Sequence, residues 1–402
     1  MLLDYIRKSW DECIRHNEED KETLIGLPYP YIVPTKRDEY QEMYYWDTYF
    51  TCKGLILSDR SLVAKNCTDN MLYLVEKYGF VPNGNRTYYL SHSQPPVLSM
   101  MVMDVYKEQG DREWLSSAYD TLKKEYNFWM TKRITSVGLN KYSGDTEPIS
   151  YEKLEDVFVG LCQRLKYNFP EKDTVLGGKD AICAFESGWD CTPRTECHES
   201  ECIYVDLNSL LYVYETNFEK MSVILGRGEE GIWQAAAEKR RNLMNRYMWN
   251  KDAFMDYLYK MDKCSSVFSV ASLYPLWLGI ADDEQAKKTI EKLPLLECEY
   301  GISACEKNDV PGVYQWDYPV GWAPLQYITV IALDNYGYRE DAVRIAKKYI
   351  AVCDKLYEAT GEMWEKYSVV TGSYEDASAE YATRNMLGWT AGVYVFLKEY
   401  VK

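Results

Sequence analysis

Two acids, an indole and a glycine stand together in Glu186-Ser187-Gly188-Trp189-Asp190, and a block of similar make-up follows at Gln315-Trp316-Asp317-Tyr318-Pro319-Val320-Gly321-Trp322. Carboxyl groups give, take and hold protons, while indole and phenol faces stack on the apolar C–H face of a sugar ring. Acids set among aromatics are what cleavage of a glycosidic bond requires. Tyr44-Tyr45-Trp46-Asp47 and Glu365-Lys366-Tyr367 repeat the combination upstream and downstream. Histidine is scarce, at positions His16, His92 and His198 alone. A Ser-His-Asp or Cys-His mechanism therefore has few candidates, and the expected chemistry is that of carboxyl groups.

Helices must position these residues. Apolar residues recur at i, i+3, i+4 and i+7 through Ser61–Tyr78, Pro95–Gln109, Glu113–Thr131, Val205–Leu225, Ile232–Met248, Trp322–Tyr336 and Arg339–Tyr357. Glycines such as Gly79, Gly110, Gly226 and Gly337 punctuate them. Short hairpins are expected within Val175–Ala184 or near Val369–Tyr374. Segments apolar nearly all round, such as Ser265–Ala281 and Trp322–Leu333, alternate with amphipathic ones, such as Glu113–Thr131 and Arg339–Lys355. An inner layer buried on every side and an outer layer with one wet face would give that alternation. About a dozen helices in this length fit a closed ring of helical hairpins. The acid and aromatic blocks precede helices, so a ring would gather them at one end.

With 402 residues, 47% of them hydrophobic, the chain can bury a substantial core, and with no Ser/Gly/Pro-rich linker it reads as one domain over residues 1–402. A formal net charge of −16 argues against nucleic acid and anionic membrane as partners and suits a neutral or cationic small molecule. The start, Met1-Leu2-Leu3-Asp4, lacks a basic stretch before an apolar one. Twelve cysteines scatter without a disulfide-framework spacing. Together these predict a cytoplasmic protein with free thiols. Cys191, Cys197, His198 and Cys202 cluster, but without C-x-x-C spacing or a second ligand pair, so no metal is expected.

Five blocks, in order, resemble the trehalase family. Tyr44-Tyr45-Trp46-Asp47-Thr48-Tyr49 is similar to the tail of its first signature. Pro82-Asn83-Gly84-Asn85-Arg86 with Ser93-Gln94-Pro95-Pro96 is similar to its asparagine-glycine-asparagine block. Glu186–Asp190 matches its catalytic-acid motif, and Gln315–Gln326 its second signature. Glu365-Lys366-Tyr367 and Gly388-Trp389-Thr390 resemble its catalytic-base region. Glu186–Asp190 followed by Pro193-Arg194 also resembles the related short α-glycosidases of family 63.

The resemblance implies an all-α (α/α)6 barrel, a six-hairpin toroid, and an inverting α-glycosidase without cofactor or metal. By motif position Asp190 would be the general acid and Glu365 the general base. In an inverting enzyme the two carboxyls stand roughly 6.5–9.5 Å apart, leaving room for a water. Trp189, beside Asp190 in the chain, would shield it from solvent. Trp46 and Asp47 would hold the sugar on the non-reducing side, and Asn83, His92, Gln94, Gly188, Trp189, Arg194, Trp316 and Asp317 would line the site. Lys366 would help keep Glu365 charged.

The chain departs from the family where the second glucose is held. Glu39 stands in the place of one arginine, His92 in that of another, and Asn385 in that of an acid. The expected substrate is a small α-glucoside like trehalose, with a glucosyl- or mannosylglycerate or a short α-gluco-oligosaccharide as the alternative. An inverting phosphorylase and a sugar-binding protein without catalysis remain competing readings. The first would need a phosphate pocket in place of Glu365, and the second would not need both acids.

Overall fold

The computed structural model describes residues 1–37, 39–143, 150–378 and 380–402. Its helices in chain order are α1 (Leu2–Ser9), α2 (Tyr45–Ile56), α3 (Ser61–Tyr78), α4 (Leu98–Gln109), α5 (Arg112–Lys132), α6 (Tyr151–Leu165) and α7 (Thr174–Glu186). After them come α8 (Val205–Leu225), α9 (Glu230–Tyr247), α10 (Tyr274–Trp277), α11 (Asp283–Glu291), α12 (Ala323–Asn335), α13 (Arg339–Thr360) and α14 (Gly388–Tyr400).

The alternation read from the sequence is the architecture. Helices α8, α12 and α14 bury residues on nearly every side, whereas α5 and α13 bury one stripe and turn lysines and glutamates to water. The inner helices form a ring: α4 packs on α8, α8 on α10, α10 on α12, α12 on α14 and α14 on α2. Between α2 and α4 the ring is tied by the Leu98 amide, which donates to the Tyr45 hydroxyl at 3.0 Å. The α2–α14 contact is the tightest. A Cβ on Gly54 would lie 2.5 Å from the Gly392 Cα, so two glycines let the backbones meet.

Three expected elements are different. Val175–Ala184 is not a hairpin but the body of α7, capped by the Asp173 carboxylate, which accepts from the Leu176 amide at 2.9 Å. Its Gly177-Gly178 pair makes room for α6: a Cβ at either position would come within 2.3 Å of Phe158 or of the Leu154 carbonyl. Ser265–Ala281 holds one 3-10 turn and the four-residue α10, because Pro275 and left-handed Gly279 prevent a longer helix. Near Val369–Tyr374 the strand falls earlier, at Lys366–Ser368, paired antiparallel with Val320–Trp322.

Candidate active site

Helix α7 delivers the acid block. It ends at Glu186, and the Ser187 hydroxyl bonds back to the Ala184 carbonyl at 2.6 Å. Gly188 then turns left-handed (φ 72°), where a Cβ would press on Trp46 at 2.9 Å and on Pro95 at 3.0 Å. Asp190 is left-handed too (φ 41°), an uncommon backbone for a residue with a side chain. These two turns send neighbouring side chains apart, Trp189 into the core and Asp190 into a cavity of about 570 Å³. There Asp190 Oδ2 accepts from Arg164 at 3.1 Å and from the Gln315 side-chain Nε2 at 3.3 Å.

Glu186 holds this turn in place. Its carboxylate, wholly buried, accepts two bonds from Arg133, both 2.8 Å, and one each from the Ser93 and Ser143 amides at 2.9 and 2.7 Å. Burial alone would raise its pKa, but the guanidinium and the two amides overcome that and hold it down at about 2. One side chain thus ties the acid turn to the segment carrying His92 and Gln94. Arg133→Met leaves the carboxylate buried without its cation and is expected to cost about 3–5 kcal/mol. Thermal unfolding reads the loss, and an unchanged midpoint would refute the role.

Glu365 reaches the same cavity from a distant part of the chain. The strand Val320–Trp322, within the second signature, pairs with Lys366–Ser368, which fixes Glu365 beside that block. The Glu365 amide donates to the Arg384 carbonyl at 2.9 Å, and Tyr381 donates its hydroxyl to Oε1 at 2.8 Å. Lys366 Nζ lies 3.5 Å from Oε2, with its side chain fully buried over the Tyr381 ring. At that separation the two charges compensate each other incompletely. Burial pushes Glu365 above the usual carboxylate range, against the pull of Lys366 and Tyr381. It pushes Lys366 down to about 8, against the pull of Glu365 and Glu380.

Trp46, Asp47, Asn83, His92, Gln94, Gly188 and Trp316 line the same cavity as Asp190 and Glu365. Asp47 lies inside the first turn of α2 rather than capping it, and water reaches it through the cavity. Burial, with the charges of Asp190 and Glu365 adding, pushes its carboxyl up to about 8. His92 is held neutral, because burial pushes its pKa down to about 4. Gln94 accepts from the Trp46 amide at 3.1 Å, fixing the indole that meets Trp316 at 5.7 Å.

Three expected residues are elsewhere. The Trp189 ring is fully buried, stacked 5.3 Å from Trp316, and does not line the cavity. It therefore shields the cavity floor, while Asp190 faces Arg164. Arg194 lies wholly buried beneath Trp189, 4.4 Å from its ring, with Asp206 at 2.9 Å and Asp256 at 3.6 Å as counter-charges. Asp317 does not line the cavity and accepts from Asn308 at 2.8 Å. Among the described residues Cys191, Cys197, His198 and Cys202 form no group that could hold a metal ion; Cys197 meets the Tyr314 hydroxyl at 3.3 Å, while Cys202 occupies a buried strand.

Other residues join the site. Arg164 of α6 bridges Asp190 and Glu380, and Glu380 also accepts from the Gln315 amide at 2.9 Å. Trp389 lines the cavity, and its buried indole N–H lacks a partner among the described residues. Its Gly388-Trp389-Thr390 block was the available sequence signal. Arg164 had none.

A ring of helical hairpins with a concave, aromatic-walled cavity and two carboxyls facing into it defines a glycoside hydrolase of the (α/α)6-barrel class. The chain belongs to the trehalase family, whose family model, described as Trehalase, matches residues 2–401. It is 31% identical to a periplasmic trehalase of Xanthomonas oryzae pv. oryzae, over 98% of this chain and 72% of that one. It is 30% identical to a periplasmic trehalase of Xanthomonas campestris pv. campestris, with the same coverage. Among solved structures, a neutral trehalase of Saccharomyces cerevisiae superimposes with TM-score 0.79 at 27% identity, covering 100% of this chain and 80% of that one. A mannosylglycerate hydrolase of Thermus thermophilus shares the fold, with TM-score 0.67 at 15% identity over 99% of this chain and 100% of its own.

The two Xanthomonas relatives correct the expectation of a cytoplasmic protein, because both, matched over 98% of this chain, are named as periplasmic trehalases. Free cysteines were a poor guide to compartment: most are buried, where the core shelters a thiol whatever the redox state outside. No helix among the described residues is long and apolar enough to cross a membrane.

Proposed function

We propose that this chain, as one catalytic unit, hydrolyses α,α-trehalose with inversion at the attacked carbon. One observation carries the reading: Asp190 and Glu365, far apart in sequence, line one cavity with Asp47, Trp46 and Trp316. Glu365 takes a proton from water as the water oxygen bonds to the anomeric carbon. Asp190 gives its proton to the glycosidic oxygen as the C–O bond breaks. Asp47, in the same lining, presents carboxyl oxygens that can accept from sugar hydroxyls.

The charge of the lining favours a neutral leaving group over a glycerate. Three carboxyls, those of Asp47, Asp190 and Glu365, stand in the lining beside two arginines, and Arg164 is already engaged with Asp190 and Glu380. A carboxylate aglycone pairing with Arg164 would have to displace one of those partners. Proton NMR of fresh digests tests the reading: one β- and one α-glucose should appear per trehalose in the first minutes. Release of α-glucose alone, or no turnover, would refute it.

A further inference from the structure

A second cavity, of about 530 Å³, adjoins the catalytic one, and Tyr40, Arg384 and Met386 line both. We propose that this second cavity is a carbohydrate subsite for a leaving group longer than one sugar, which rests on the hydrolase reading above. Its occupant is a neutral gluco-oligosaccharide arm, and the Arg384–Glu39 pair is the partition it passes.

The direction follows from depth. Trp46 and Trp316, almost wholly buried, close the inner end of the catalytic cavity, while Tyr40 and Arg384 stand toward solvent. A glucose bound at the inner end can be extended only outward, past those two side chains. The partition is weak. Arg384 Nε meets Glu39 at 2.9 Å, but the side chains are 46% and 54% exposed, and an ion pair in water contributes little. Tyr40, the other wall residue, is held at φ 56°, a backbone that costs free energy for an aromatic residue and recurs where side chains clamp ligands.

The chemistry of the second cavity fits sugar hydroxyls. Glu12, Glu39 and Glu362 are balanced there by Lys36, Arg37 and Arg384. Lys36 reaches Glu12 at 3.6 Å, and Tyr5 donates its hydroxyl to Glu362. Donors and acceptors are thus plentiful and the charges balance among the described lining residues, and Met363 and Met386 supply apolar surface for ring C–H groups. A polyanion or polycation would find no excess of the opposite sign.

The test compares trehalose with the trisaccharide that carries one further α-glucosyl group on the 4-hydroxyl of one trehalose unit. Its hydrolysis at the 1,1-linkage gives β-glucose and maltose. The unmodified protein should cleave it with kcat/KM within about tenfold of trehalose. Lys36→Trp fills the second cavity and should lower the trisaccharide-to-trehalose ratio at least tenfold with trehalose turnover unchanged, and Glu12→Trp serves if that variant does not fold. Arg384→Ala removes the partition and should raise the ratio. A ratio that stays constant across the variants overturns the subsite, as does failure of the unmodified protein and Arg384→Ala to cleave the trisaccharide while trehalose is turned over. No turnover of trehalose would overturn the proposed function itself, and the subsite with it.

Discussion

Asp190→Asn is expected to lower kcat/KM for trehalose by about 10²–10⁴-fold, the usual contribution of a positioned acid, while sparing turnover of α-glucosyl fluoride. The substitution keeps the shape of the side chain and leaves an oxygen to accept from Arg164 and Gln315, so the turn after α7 should persist. What is lost is the proton. Glucose leaves as an alcohol and must receive one as the C–O bond breaks, whereas fluoride departs as a stable anion without it. Equal losses on the two substrates would mean that Asp190 holds the sugar rather than protonating it. Unchanged activity on both would remove it from the mechanism.

The residues legible in the sequence were those whose work demands one side-chain type at a fixed place. Gly188 had to be glycine because Trp46 and Pro95 leave no room for a Cβ, and Gln94 had to present an oxygen to the Trp46 amide. Helix periodicity was equally readable, and α3 and α8 span the expected residues without shift. Direction was not readable. Trp189 and Asp190 are neighbours, yet two left-handed turns send one into the core and the other into the cavity. The same holds for Trp316 and Asp317, one on the cavity wall and the other bonded to Asn308.

Partners supplied from a distance were harder still. Arg164 belongs to an amphipathic helix, where an arginine ordinarily faces water, and only the fold brings it to Asp190. Glu380 stood among several acids of one loop, indistinguishable from a solvated charge, yet it is buried against Arg164 and Gln315. Gly177-Gly178 suggested a turn because local propensity cannot register the close approach of a helix from elsewhere.

Glu365→Gln should fail differently from the acid variant, with about 10²–10⁴-fold losses on trehalose and α-glucosyl fluoride alike. Attack by water needs a proton acceptor whatever group departs, and an amide is a poor one. The pH profile carries a second signature of the base. Glu365 must be ionised to act, and burial pushes it above the usual carboxylate range. The acid limb of kcat/KM should therefore fall off at a pH higher than an ordinary glutamate would give, with activity present above that limb and lost below it. Lys366 is charged throughout that range, since burial brings it down only to about 8, and its ammonium favours the ionised form of Glu365. Lys366→Met preserves the length of the buried stem over Trp322 and Tyr381 while removing the charge. The acid limb should then move to still higher pH. A limb that stayed in place would show that Glu365 is not the group titrating there, and a shift to lower pH would contradict the electrostatics outright.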